Sequence, residues 1–202
     1  MGKATPLDIL EFWVGEARED PVEADTRHKL WFGKSAETDR VIAGRFLVTL
    51  AELASGLAHD WARRGPRARL AAIIALDQFS RNIFRDTAGA FENDPLALAL
   101  AKRGIEAGED VSLSEVERIF YYLPLEHSEA LDDQDMSVRL FEQLVDDARP
   151  GFADLAASTL DYAVRHRDVI VRFGRFPHRN AALGRMNTPE EEDYLSQPGA
   201  GF

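Results

Sequence analysis

Residues 70–85, LAAIIALDQFSRNIFR, narrow most sharply what this chain can fold into. The first half is apolar all round, the mark of a helix buried on most of its sides. Such a helix needs other elements packed around it. Leu70, Ile73, Ile74, Asp77, Arg81 and Phe84 fall on one face at 3–4 spacing. Asp77 and Arg81 therefore form an i,i+4 pair on a face that points inward. An unpaired charge is costly to bury, so each must find a partner inside.

The surrounding sequence supplies helices. Thr5-Pro6 reads as an N-cap followed by a first helical proline, opening the apolar stripe Leu7, Ile9, Leu10, Trp13. HKLWFG brings Trp31 and Phe32 to a turn at Gly33, and 3–4 spacing predicts a longer helix from Thr38 to Leu57. Pro66 and Pro95 open further helices, and Ser112 or Ser114 caps EVERIFYYL. MSVRLFEQLVDDA is amphipathic, and the long segment FADLAASTLDYAVRHRDVIVRFG closes at Gly174. Thr188-Pro189-Glu190-Glu191 caps a short last helix. No stretch alternates in the manner of a strand. The expectation is one all-α domain over residues 1–202.

Composition sets bounds on function. With 45% hydrophobic residues, 202 residues can bury a core without staples, and the absence of cysteine excludes disulfides, thiolate zinc sites and cysteine nucleophiles. No apolar run seems, on the sequence, to reach the roughly eighteen residues that span a bilayer. MGKATPLDILEF lacks the apolar core of a secretory signal. A cytoplasmic protein without membrane contact is expected. The formal charge of −11 opposes non-specific contact with nucleic acid. Against that charge, six of the twenty arginines (Arg165, Arg167, Arg172, Arg175, Arg179, Arg185) crowd into residues 165–185, where Asp168 is the only acid.

Two further stretches carry candidate chemistry. In YYLPLEHSE, Pro124 is expected to interrupt a helix, placing Glu126, His127 and Glu129 just beyond the break. Acids flanking a histidine suit proton transfer. His-x-Glu is also metal-like spacing, but the sequence supplies no third ligand, so no metal and no cofactor are expected. In RFGRFPHRN, Gly174 and Pro177 pin a loop that presents Arg175, His178, Arg179 and Asn180. These donors complement an anionic group, or else the protein's own carboxylates.

The blocks LDQFSRNIFR, PLEHSE and RHRDVIVRFGRFPHRNAALGR, with WFG upstream and TPEEEDYL downstream, resemble in order the signature blocks of the DUF924 family. The resemblance runs from ILEFW to EEEDYL. It implies an all-helical fold similar to tetratricopeptide (TPR)-like, right-handed αα-superhelices of antiparallel helix pairs. It implies no activity, because the family has none established. Ser80 stands where the family often carries proline, which leaves this helix straighter.

Function remains open at this level between distinct classes. The first is a small-molecule site, enzymatic or not, with His127, Glu126 and His178 as proton-transfer groups. Asp77, Arg81, Asn82, Glu129, Arg175, Arg179, Asn180 and Trp31 would bind an anionic ligand, with Phe32 beside Trp31 as a wall. The second is a module that captures an acidic or C-terminal peptide on a concave surface. A strip for single-stranded nucleic acid fits the net charge least. The fourth is an internal polar network that only fixes packing. Oligomeric state is not legible.

Overall fold

The computed structural model describes residues 3–201; Met1 and Gly2, which open the N-terminal stretch read above, and Phe202 fall outside it. Eleven α-helices among the described residues are α1 (Pro6–Trp13), α2 (Pro21–Phe32), α3 (Ala36–Glu52), α4 (Ala58–Ala62), α5 (Pro66–Ile74), α6 (Ser80–Ile83), α7 (Asp94–Glu106), α8 (Glu115–Glu126), α9 (Leu131–Asp147), α10 (Ala153–Phe173) and α11 (Pro189–Leu195). No strand occurs among them.

The caps follow the sequence signals. Thr5 and Asp8, Ser114 and Glu117, and Thr188 and Glu191 form reciprocal capping boxes at α1, α8 and α11. Each satisfies two backbone N–H groups that the first turn cannot. Gly174 ends α10 at φ 68°, a left-handed conformation that glycine adopts without strain.

Two helices form the centre. All of α8 is buried, as is every residue from Leu70 to Ser80. α5 packs on α1, α7 and α8, while α9 lies between α8 and α10. Aromatic side chains fill the junction, with Phe46 stacked on Phe79 at 4.8 Å and Trp13 edge-on to Phe79 and Phe120. Gly104 on α7 is needed for close approach: a Cβ there would lie 1.7 Å from the Tyr121 hydroxyl oxygen.

Three expectations change. Pro124 does not interrupt α8, which runs two residues beyond it to Glu126. A proline near the C-terminal end removes one backbone donor, and packing of a fully buried helix outweighs that loss. The helix at Ser80 is continuous but not regular: residues Ala75–Phe79 form a π turn between α5 and α6. The expected Thr38–Leu57 helix is longer, since α3 passes through a second π turn, Leu53–Leu57, into α4. That run, Ala36–Ala62, is long and apolar enough to cross a membrane by length and composition alone, with at most two charged residues in an 18-residue window. Arg45 and Glu52 break it up by eye. One third of the window is buried, through residues such as Ile42, Phe46 and Leu50, while Val41, Leu47 and Val48 face outward.

Candidate functional site

The π turn at Ala75–Phe79 widens the helix by one residue and sets Asp77 and Gln78 beside the C-terminal end of α8. Such turns recur at functional positions. Asp77 is 1% exposed. Its Oδ1 accepts from His127 Nδ1 at 2.8 Å and lies 3.0 Å from Arg81 Nη1; its Oδ2 accepts from Gln78 Nε2 at 2.6 Å. Burial alone would push this carboxyl up, but the Arg81 charge, His127 and Gln78 together hold it well below the usual carboxylate range. Asp77 is therefore ionised and only accepts, so His127 Nδ1 carries the proton and Nε2 holds the lone pair.

His127, the residue that ends α8, lines a cavity of about 370 Å³. Burial and then the Arg81 charge lower its pKa against the pull of Asp77, which leaves a neutral imidazole. Glu126 lines the same cavity. Burial, with Asp77 nearby, pushes its pKa up to about 8, so the carboxyl is protonated at neutral pH. Glu126 Oε1 lies 3.0 Å from His166 Nδ1, which also sits 2.8 Å from the Tyr162 carbonyl. A carbonyl only accepts, so His166 Nδ1 is a donor too. Burial, and then His127, hold His166 well below its ordinary range; burial and Arg179 bring His178 down to about 3.

The arginines divide sharply. Arg81 donates to both Asp94 carboxylate oxygens at 2.8 and 2.9 Å and to the Asp77 carbonyl at 2.8 Å. Arg85 makes two bonds of 2.7 Å to Asp39. Arg179 is different. It is 6% exposed, its Nε meets no acceptor, and its nearest carboxylate, Asp94, is 3.7 Å away. Its guanidinium carbon lies 4.9 and 4.4 Å from the Phe91 and Phe176 ring centroids. Burial, followed by the Arg81 charge, lowers its pKa to about 10, so it stays cationic at neutral pH.

Of the residues singled out in the sequence, Trp31, Arg81, Asn82, Glu126, His127, His178 and Arg179 line the cavity, as does Phe32. Asp77 lies behind His127. Three others stand apart, each for the same reason: a protein group already satisfies it. Arg175 makes bonds of 2.6 and 2.8 Å to Glu191, Glu129 accepts from Arg185 and the Phe176 amide, and Asn180 donates to Asn187 and Glu191. The sequence expectation of an Arg175 clamp is thus replaced by an Arg179 position. Asn82 is also committed, donating to Asp39 at 2.8 Å, and the Trp31 indole N–H donates to the Trp13 carbonyl at 2.8 Å.

Sequence reading missed His166, Tyr162, Phe91 and Asp94. For His166 a signal existed: it continues the buried α10 stripe Ala156, Thr159, Ala163, Ile170, where a titratable group is out of place. Nothing in the spacing linked Asp94 to Arg81. No group of three or more His, Asp or Glu side chains among the described residues could hold a metal ion.

Comparison with known proteins gives a family without a reaction. No curated protein matches the chain. A solved structure, that of the protein of unknown function ATU0120 from Agrobacterium tumefaciens, is similar at 36% sequence identity and a TM-score of 0.78, covering 95% of this chain and 96% of that one. The profile of the bacterial proteins of unknown function DUF924 matches residues 9–199, and the chain belongs to that family.

Proposed function

We propose that this protein is an enzyme that holds a small anionic molecule in the cavity and acts on it by proton transfer. Arg179 binds the anionic group, His127 Nε2 takes a proton, and the Glu126 carboxyl donates one. The observation that carries the reading is the Asp77–His127 pair at 2.8 Å, opening onto the same cavity as a buried arginine whose Nε has no acceptor. Asp77 fixes the tautomer and stabilises the imidazolium that forms, while an ionised Glu126 recovers its proton from that imidazolium through solvent. Proton transfer of this kind serves isomerases, lyases and hydrolases alike.

A cavity walled by α2, the α5–α6 stretch, α8, α10 and the loop after α10 suits a metabolite better than an extended peptide. The proposal includes a cytoplasmic setting and a TPR-like right-handed superhelix; the latter is supported by α7, α8, α9 and α10 each packing on the next. The test is metabolite profiling. A cellular extract is incubated with the wild-type protein and with His127→Gln, which keeps a donor for Asp77 but has no base. A small anion consumed by the wild type and spared by the variant supports the reading. Identical extracts after both incubations would refute it.

A further inference from the structure

We infer that the cavity's ligand is a hydrophobic monocarboxylic acid, with its carboxylate on the Arg179 fork and its apolar body along Trp31, Phe32, Leu155 and Tyr162. This inference rests on the small-anion reading above and narrows it to a chemical class.

The charge count comes first. Inside the cavity, the guanidinium of Arg81 is taken up by Asp77 and Asp94, and that of Arg85 by Asp39. Arg179 is the cation left without a close carboxylate, and Lys34 stands exposed at the rim. One buried positive charge answers one negative charge. A phosphate dianion would leave a second charge buried and unpaired, which is costly.

Geometry points the same way. A guanidinium presents its N–H groups in its own plane, as a fork that matches two coplanar oxygens. Phe91 and Phe176 crowd Arg179 within 5 Å, and its Nε still points to no acceptor. A carboxylate satisfies that edge with two parallel bonds.

The walls then select the body of the molecule. The only polar atom of the Trp31 ring is already used by the Trp13 carbonyl, so the indole offers an apolar face. Phe32 is 46% exposed and Tyr162 41%, although both border a concave site. Covering such surface is favourable at about 25 cal/mol per Å² of apolar area. A volume of about 370 Å³ lies near the lower end of ligand pockets, which start at about 300 Å³. It suits a compact ring or branched chain.

The experiment is calorimetric titration of the full chain at pH 7 with 2-naphthoate, its neutral analogue 2-naphthalenemethanol, and inorganic phosphate. The expected result is saturable naphthoate binding, at least tenfold weaker binding of the alcohol, and at least hundredfold weaker binding of phosphate. Arg179→Lys, which keeps the charge and loses the fork, should weaken naphthoate at least tenfold. Should that variant fold poorly, Ser158→Trp serves instead. Ser158 is an exposed residue of the cavity wall, so filling the cavity from there should abolish naphthoate binding with the helical spectrum unchanged. Phosphate binding tighter than naphthoate overturns the carboxylate class and leaves the small-anion reading standing. Equal binding of acid and alcohol overturns both. Binding of none of the three overturns this inference, and the metabolite profile then decides the broader one alone.

Discussion

Replacing Glu126 by glutamine tests the state on which the proposed chemistry depends. A carboxyl whose pKa is raised from about 4.3 to about 8 by burial binds its proton more tightly in the folded chain than in the unfolded one. Stability tied to that proton is fully present below the unfolded value, near pH 4. It is lost progressively as pH rises toward 8, at up to about 1.4 kcal/mol per pH unit. By pH 7 the wild-type protein carries a penalty of about 2–4 kcal/mol that a neutral glutamine of the same shape does not. Glu126→Gln should therefore gain about 2–4 kcal/mol at pH 7 relative to pH 4.5, measured against wild type by urea unfolding at each pH. His127, His166 and His178 titrate in both proteins, so their contributions largely cancel in the difference. Parallel stability curves for the two proteins from pH 4.5 to 8 would refute the reasoning. They would mean that Glu126 is ionised in the fold and has no proton to give.

Gly104→Ala should destabilise the chain by about 1–3 kcal/mol or more, because the added methyl meets the Tyr121 hydroxyl between α7 and α8; thermal unfolding reads this directly. Arg175→Ala should lower the melting temperature by releasing the Glu191 cap of α11, yet leave 2-naphthoate affinity within twofold of wild type. A large loss of affinity there would move the clamp back from Arg179 to Arg175.

Much of the helical order was legible because local physics set it. Thr5, Ser114, Thr188 and Gly174 cap where their side chains or φ angles suit a helix end. The inward face of the segment around Asp77 and Arg81 followed from apolar residues at 3–4 spacing. Its π turn did not, since one inserted residue leaves no mark in composition. Pro124 misled for a related reason: its cost is local, whereas the burial that outweighs it comes from α7 and α9 packing on α8. Site membership failed in the same way. Arg175 and Arg179 are four residues apart with the same chemistry, and only the position of Glu191 separates them. His166 was overlooked because its contact with Glu126 joins residues forty positions apart in sequence.

The crowded arginines therefore have two explanations, and the fold assigns each residue to one. Arg167, Arg175 and Arg185 meet Asp135, Glu191 and Glu129 within hydrogen-bonding distance. Arg165 and Arg172 lie over the rings of Tyr162 and Phe173. These five account for the cluster as a clasp that ties the segment after α10 to the rest of the chain. A clasp gains nothing from an arginine held away from its nearest carboxylate. Arg179 is nevertheless as buried as the core, so its desolvation is not offset by a close ion pair. An outside anion would supply that missing partner, and the neutral imidazole and protonated carboxyl beside it are the states in which proton transfer begins.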